Sequence, residues 1–131
     1  MRAMPTVYCH VFRHGALLAT HAFEPPSAVK VGRLKTADVV LDGAMVARQH
    51  CVVELAEGGR GTVVDLGSEI GTSVDGRRTD RAPLRDKSTI HIGDFSLVVT
   101  PSAVPPTAPQ PTVPVTRAAS LWHDLKRGLG L

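Results

Sequence analysis

Chemistry in this chain can reside in only a few side chains. His50 and Cys51 are adjacent, as a base and a nucleophile would be. His10 and His14 have the H-x-x-x-H spacing that sets two metal ligands on one face of a helix, with His21 a little further on. Arg33 follows Gly32, and Arg48 stands ahead of the alternating run "HCVVEL". The first two possibilities fail on local geometry. Neighbours on a strand point to opposite faces, so His50 cannot serve Cys51 as a base. The His10 to His21 stretch straddles a strand, a turn at Gly15 and another strand, so these histidines are expected to face solvent and no metal is expected. With no Gly-rich phosphate loop, carboxylate pair or nucleophile elbow, the sequence predicts neither an enzyme nor a cofactor. Arg33 and Arg48 remain as ionisable side chains in glycine-bearing stretches.

The elements that must position them read as strands. Between residues 5 and 100 the chain is a series of short runs rich in Val, Thr and Ile: "TVYCHVF", "ALLATHAF", "AVKVG", "DVVL", "HCVVEL", "GTVVDL", "TSVDG", "STIHIG" and "FSLVVT". The breaks between them, "HG", "PP", "DG", "EGGRG", "DG" and "GD", come at the spacing of an antiparallel sandwich or barrel. No run has a 3.6-residue apolar period, and without crossover helices an α/β sheet is excluded. Function in such a scaffold belongs to its loops. The conspicuous ones are "GRLKTAD" (32 to 38), "DGAMVARQH" (42 to 50) and "LGSEIGTSVDGRR" (66 to 78).

Composition narrows the class. The 131 residues, 43% hydrophobic and 21% charged, suit one domain with its own core plus a tail. Cys9 and Cys51 have neither metal-ligand spacing nor a disulfide framework and read as buried strand thiols in a reducing compartment. No signal-peptide h-region and no 18-residue apolar run appears, so the expected location is cytoplasmic. Residues 1 to 100 carry twelve Lys/Arg and eleven Asp/Glu, and residues 101 to 131 carry three and one. A domain so balanced is not expected to bind nucleic acid.

Six of the ten prolines fall in residues 101 to 116, a PPII-prone linker. Its P-x-x-P spacings at Pro106 and Pro111 have no flanking basic residue and read as spacer rather than as an SH3 ligand. Residues 117 to 131 read as a disordered tail, or as a short amphipathic turn that could meet a membrane surface or partner through Trp122, Lys126 and Arg127. The domain itself is expected to make no membrane contact.

From Val29 to Val99 the sequence resembles the forkhead-associated (FHA) family. The resemblance rests on "VKVGRLKTADVVLDGAMVARQHCVVEL", "VVDLGSEIGTSVDGRR" and "APLRDKSTIHIGDFSLVV". That family has G-R, then S-R-x-H, then N-G-T and V-N-G, then a closing hairpin. The resemblance implies an all-β, antiparallel sandwich of about eleven strands that binds phosphothreonine peptides at the loops of one end. It implies that Arg33 and Arg48 touch the phosphate. It also implies that Gly32, His50, Gly71, Asp75 and Gly76 support the loops, and it places Thr72 among the peptide- or phosphate-binding positions.

Three positions depart from the pattern. Ala47 replaces the phosphate-binding serine, Ile70 replaces the asparagine that holds the peptide backbone, and Glu69 puts a carboxylate beside the site. The expectation is therefore a protein-interaction or scaffold module of signalling or assembly with weakened or absent phosphothreonine dependence. The alternative is a working reader that uses Arg33 and Arg48. Arg48 could instead pair with Asp42 or Glu69. The run Arg77, Arg78 and Arg81 could be a solvated hairpin tip or could recruit an acidic partner. By analogy the chain would be a monomeric domain of a larger bacterial protein, such as the cytoplasmic part of a membrane-associated one.

Overall fold

In the computed structural model the described residues are 6–57, 60–85 and 87–109. The residues beyond 109, with the end of the linker and the whole tail, lie outside that set. Eleven strands follow in order: β1 (Val7–Arg13), β2 (Ala16–Phe23), β3 (Ser27–Gly32), β4 (Val39–Val40), β5 (Cys51–Leu55), β6 (Gly61–Asp65), β7 (Thr72–Val74), β8 (Arg77–Thr79), β9 (Arg81–Leu84), β10 (Thr89–Ile92) and β11 (Phe95–Thr100). They form two sheets, ordered β2-β1-β11-β10-β7-β8 and β4-β3-β5-β6-β9. Pairing is antiparallel except for β3 with β4. Among the described residues no helix is long and apolar enough to cross a membrane.

The period-two alternation of the sequence becomes the core. Val29 and Val31, Cys51 and Val53, Val63, Ile90 and Ile92, and Phe95 and Leu97 point between the sheets and are buried. Two strands do not appear in the apolar pattern, β8 ("RRT") and β9 ("RAPL"). Each is the outer strand of its sheet, where a charged or proline-bearing segment pairs on one side only and faces water on the other. Pro83, opposite Thr62 on β6, is such a case.

His10 corrects the expectation of exposure. It is fully buried on the outer face of the first sheet, because the chain just after β11 lies over it. Its Nε2 is 3.0 Å from the Ser102 carbonyl, which only accepts, so Nε2 donates there. Nδ1 is hydrogen-bonded to the Thr20 hydroxyl at 3.0 Å. His14, in contrast, is exposed at the β1–β2 turn, and His21 is half-buried.

Candidate functional site

The loops that leave β3, β4 and β6 are laced into one surface by main-chain hydrogen bonds. Arg33 N donates to the Ala47 carbonyl at 3.0 Å and Leu34 N to the Arg48 carbonyl at 3.3 Å. Arg33 Nε donates to the Val46 carbonyl at 3.0 Å, which anchors one edge of the guanidinium and leaves its other donors available. Gly32 is what permits this closeness. A Cβ there would lie 2.1 Å from the Arg48 carbonyl oxygen, inside any tolerable contact.

His50 ties this pair of loops to the third. The Ala47 amide donates to its Nδ1 at 3.1 Å. Its Nε2 donates to the Gly71 carbonyl at 2.9 Å. The ring is thus the neutral Nε2–H tautomer with both nitrogens satisfied, and it is fully buried. Burial pushes the Cys51 thiol up to about 12, with the Asp65 carboxylate adding to the rise and the Thr72 hydroxyl opposing it. Cys9 is raised to about 12 as well, by burial and then by Cys51. Thiols held so far above neutral pH are not nucleophiles.

Asp65, which carries no motif of its own, organises the third loop. Its Oδ2 accepts the amides of Gly67 and Ser68, both at 2.9 Å. Its Oδ1 accepts the hydroxyls of Ser68 and of Thr72, the latter at 2.7 Å. Burial alone would raise this carboxyl, but the four hydrogen bonds outweigh it and hold the group below the usual carboxylate range. The D-x-G-S spacing, typical of an Asx turn, is the sequence signal that points to it.

On this frame Arg33, Arg48 and Glu69 are exposed while Ala47 and Ile70 are half-buried. Ile70 packs against the core and toward Gly93. Among the described residues neither Arg33 nor Arg48 forms an ion pair, so the pairing of Arg48 with Asp42 or Glu69 is not made. Asp75 and Gly76 lie away from this surface, at the other end of β7. Their φ values of 51° and 87° make the tight hairpin turn, and the Asp75 carboxylate accepts from Ser88 and Thr89. The basic run is divided. Arg81 meets Glu54 at 3.6 Å across the second sheet, while the Arg78 guanidinium lies against Gly71, where a Cβ would be 2.6 Å from its Nε. Arg78 is therefore the member of the run that reaches the loop surface.

A match to the FHA domain family covers residues 29–93. Residues 29–93 of this chain are an FHA domain. The chain is 36% identical over 74 residues to the ABC transporter ATP-binding/permease protein Rv1747 of Mycobacterium tuberculosis, covering 56% of this chain and 8% of that protein. It is 42% identical over 67 residues to the glycogen accumulation regulator GarA of Mycolicibacterium smegmatis, covering 51% of this chain and 42% of that one. The chain thus spans less than half the length of either relative. Among solved structures, Mycobacterium tuberculosis EmbR in complex with a low affinity phosphopeptide superposes with a TM-score of 0.64 at 29% identity, over 77% of this chain and 26% of that chain. FHA domains are protein-interaction modules rather than enzymes, and among the described residues no group of His, Cys, Asp and Glu gathers to hold a metal.

Proposed function

We propose that this FHA domain binds a segment of a protein partner at its loop end, with Arg33 and Arg48 facing an acidic or phosphorylated side chain, and with less dependence on phosphate than a full reader has. The observation that carries the reading is the pair of exposed arginines, free of ion pairs among the described residues, on loops braced by His50. Against full phosphate reading stand Ala47, Glu69 and Ile70. A hydrogen bond to a charged partner contributes about 1.5 to 3 kcal/mol, so the missing serine hydroxyl weakens binding by about one to two decades. An exposed carboxylate at Glu69 adds repulsion on the order of 1 kcal/mol.

The second reading is a working phosphothreonine reader. The anchored Arg33 side chain favours it, because a preset guanidinium loses little entropy on meeting phosphate. Titrating the isotope-labelled protein with matched threonine and phosphothreonine peptides separates the two. The first reading expects amide shifts at the loops from both peptides, with affinities that differ by less than about tenfold. Phosphate-dependent binding tighter than about 100 micromolar, roughly −5.5 kcal/mol, would establish the second.

We also propose that residues 5–100 form one monomeric module of a larger signalling protein; the partial coverage of longer relatives supports the larger protein. A cytoplasmic location, residues 101–116 as spacer and residues 117–131 as tail complete that proposal.

A further inference from the structure

Beside the loop surface, on the outer face of the second sheet, lies a pocket of about 240 Å³ whose lining includes Leu34, Ala37, Val52 and Leu66, with Lys30 and Arg48 as its charged residues. The fold explains its position. Lys30 and Val52 are paired across β3 and β5 and point away from the core. The 33–38 segment doubles back to place β4 parallel to β3, held by the Asp38 carboxylate on the Lys30 amide at 2.8 Å. That return makes one wall. Leu66, just past β6, makes the other and remains 47% exposed.

We propose that this pocket receives a bulky aliphatic side chain of the same partner segment whose anionic group faces Arg33 and Arg48. The inference rests on the interaction-module reading and extends it. Continuity is the first argument. Arg48 belongs both to the pocket and to the anion-facing loops, and Leu34 directly follows Arg33. Because an extended peptide advances about 3.3 Å per residue, a side chain within a few positions of the anionic residue reaches the pocket. Charge is the second argument. The pocket's charged residues are both cations, and no carboxylate lines it, which fits an acidic segment. The chain's own residues 110 to 131, with Arg117, Lys126 and Arg127 against Asp124, have the wrong sign for it. Where Ala47 and Ile70 withdraw contacts to phosphate and peptide backbone, burial of an aliphatic side chain supplies affinity that needs neither.

The test uses the full chain and a phosphothreonine peptide flanked by alanine and glutamate, in which leucine replaces one flanking alanine at a time. We expect leucine at one position to tighten binding about tenfold and to shift the methyl resonances of Leu34, Val52 and Leu66. In Leu66→Asn and Val52→Thr the ratio of affinities with and without leucine is expected to fall toward one. If the peptides bind and perturb the loops but leucine gains nothing at any position, the pocket inference fails and the module reading stands. Binding of none of the peptides overturns both. Occupation from within is a further overturning result. It would show as pocket methyl shifts on ending the chain at residue 109, or on diluting the protein, which would assign the pocket to the tail or to a second copy.

Discussion

The Nε2–H of His50 donates to the carbonyl of Gly71 across 21 residues of sequence, at 2.9 Å and fully buried. This bond, with the Ala47 amide on Nδ1, makes the second and third loops one body. Replacing His50 by alanine strands a donor and an acceptor in a buried place, each costing about 1 to 3 kcal/mol. Urea unfolding of His50→Ala should show a loss of about 2 to 4 kcal/mol, with amide exchange fastest in residues 66 to 72. A loss below about 0.5 kcal/mol, the scale of an ordinary surface change, would contradict the bracing role.

The two loop glycines should differ in tolerance. Gly32→Ala drives a Cβ into a backbone carbonyl at 2.1 Å, which has no side-chain escape. Gly71→Ala meets the movable Arg78 side chain and strains a φ of 82°, at a cost of about 1 to 2 kcal/mol. Thermal unfolding should rank Gly32→Ala as the more damaging. The reverse order would mean that the close approach of Gly32 to Arg48 is not rigid.

Asp65 gives the domain an acid-sensitive element. Its carboxyl is held below the usual range in the folded state, so the folded protein binds its proton less readily than the unfolded chain does. The stability it contributes is therefore fully present above the unfolded value of about 3.9 and is lost as pH falls through that value toward the lowered folded one. Unfolding free energies measured between about pH 5 and pH 3 should drop more steeply in the natural protein than in Asp65→Asn. Equal slopes would remove Asp65 from the account.

The family's missing contacts can be put back separately. Ala47→Ser adds a hydroxyl at a half-buried position whose backbone is already held, so it should leave stability nearly unchanged and strengthen phosphopeptide binding by about tenfold. Ile70→Asn removes a side chain packed on the core and should cost about 1 to 3 kcal/mol before any gain in binding is seen. Isothermal titration beside melting curves reads both effects. A tightening by Ile70→Asn with no stability loss would show that Ile70 does not pack as described.

Both cysteines should behave as core residues. Burial and thiol values raised to about 12 leave Cys9 and Cys51 nearly free of thiolate at pH 8. Iodoacetamide should label neither in the native protein and both in urea. Rapid native labelling of Cys51 would reveal opening of the sandwich beside the loop surface.

Period-two alternation and glycine-bearing turns are local properties, so the all-β class and the inward face of strands such as β5 could be read from residue order alone. The motif spacing likewise placed Arg33, Ala47, Arg48, Glu69 and Ile70 in loops. Strands β8 and β9 could not be found that way, because an outer strand needs no apolar pattern and is specified by its partner. The burial of His10 depended on a carbonyl 92 residues away. The same limit hid Asp65 as the centre of a loop, Arg78 against Gly71, and the pocket between Leu34 and Leu66. Each is a contact between segments distant in sequence, and periodicity reports which face a residue takes, whereas only the closed sandwich decides what stands opposite it.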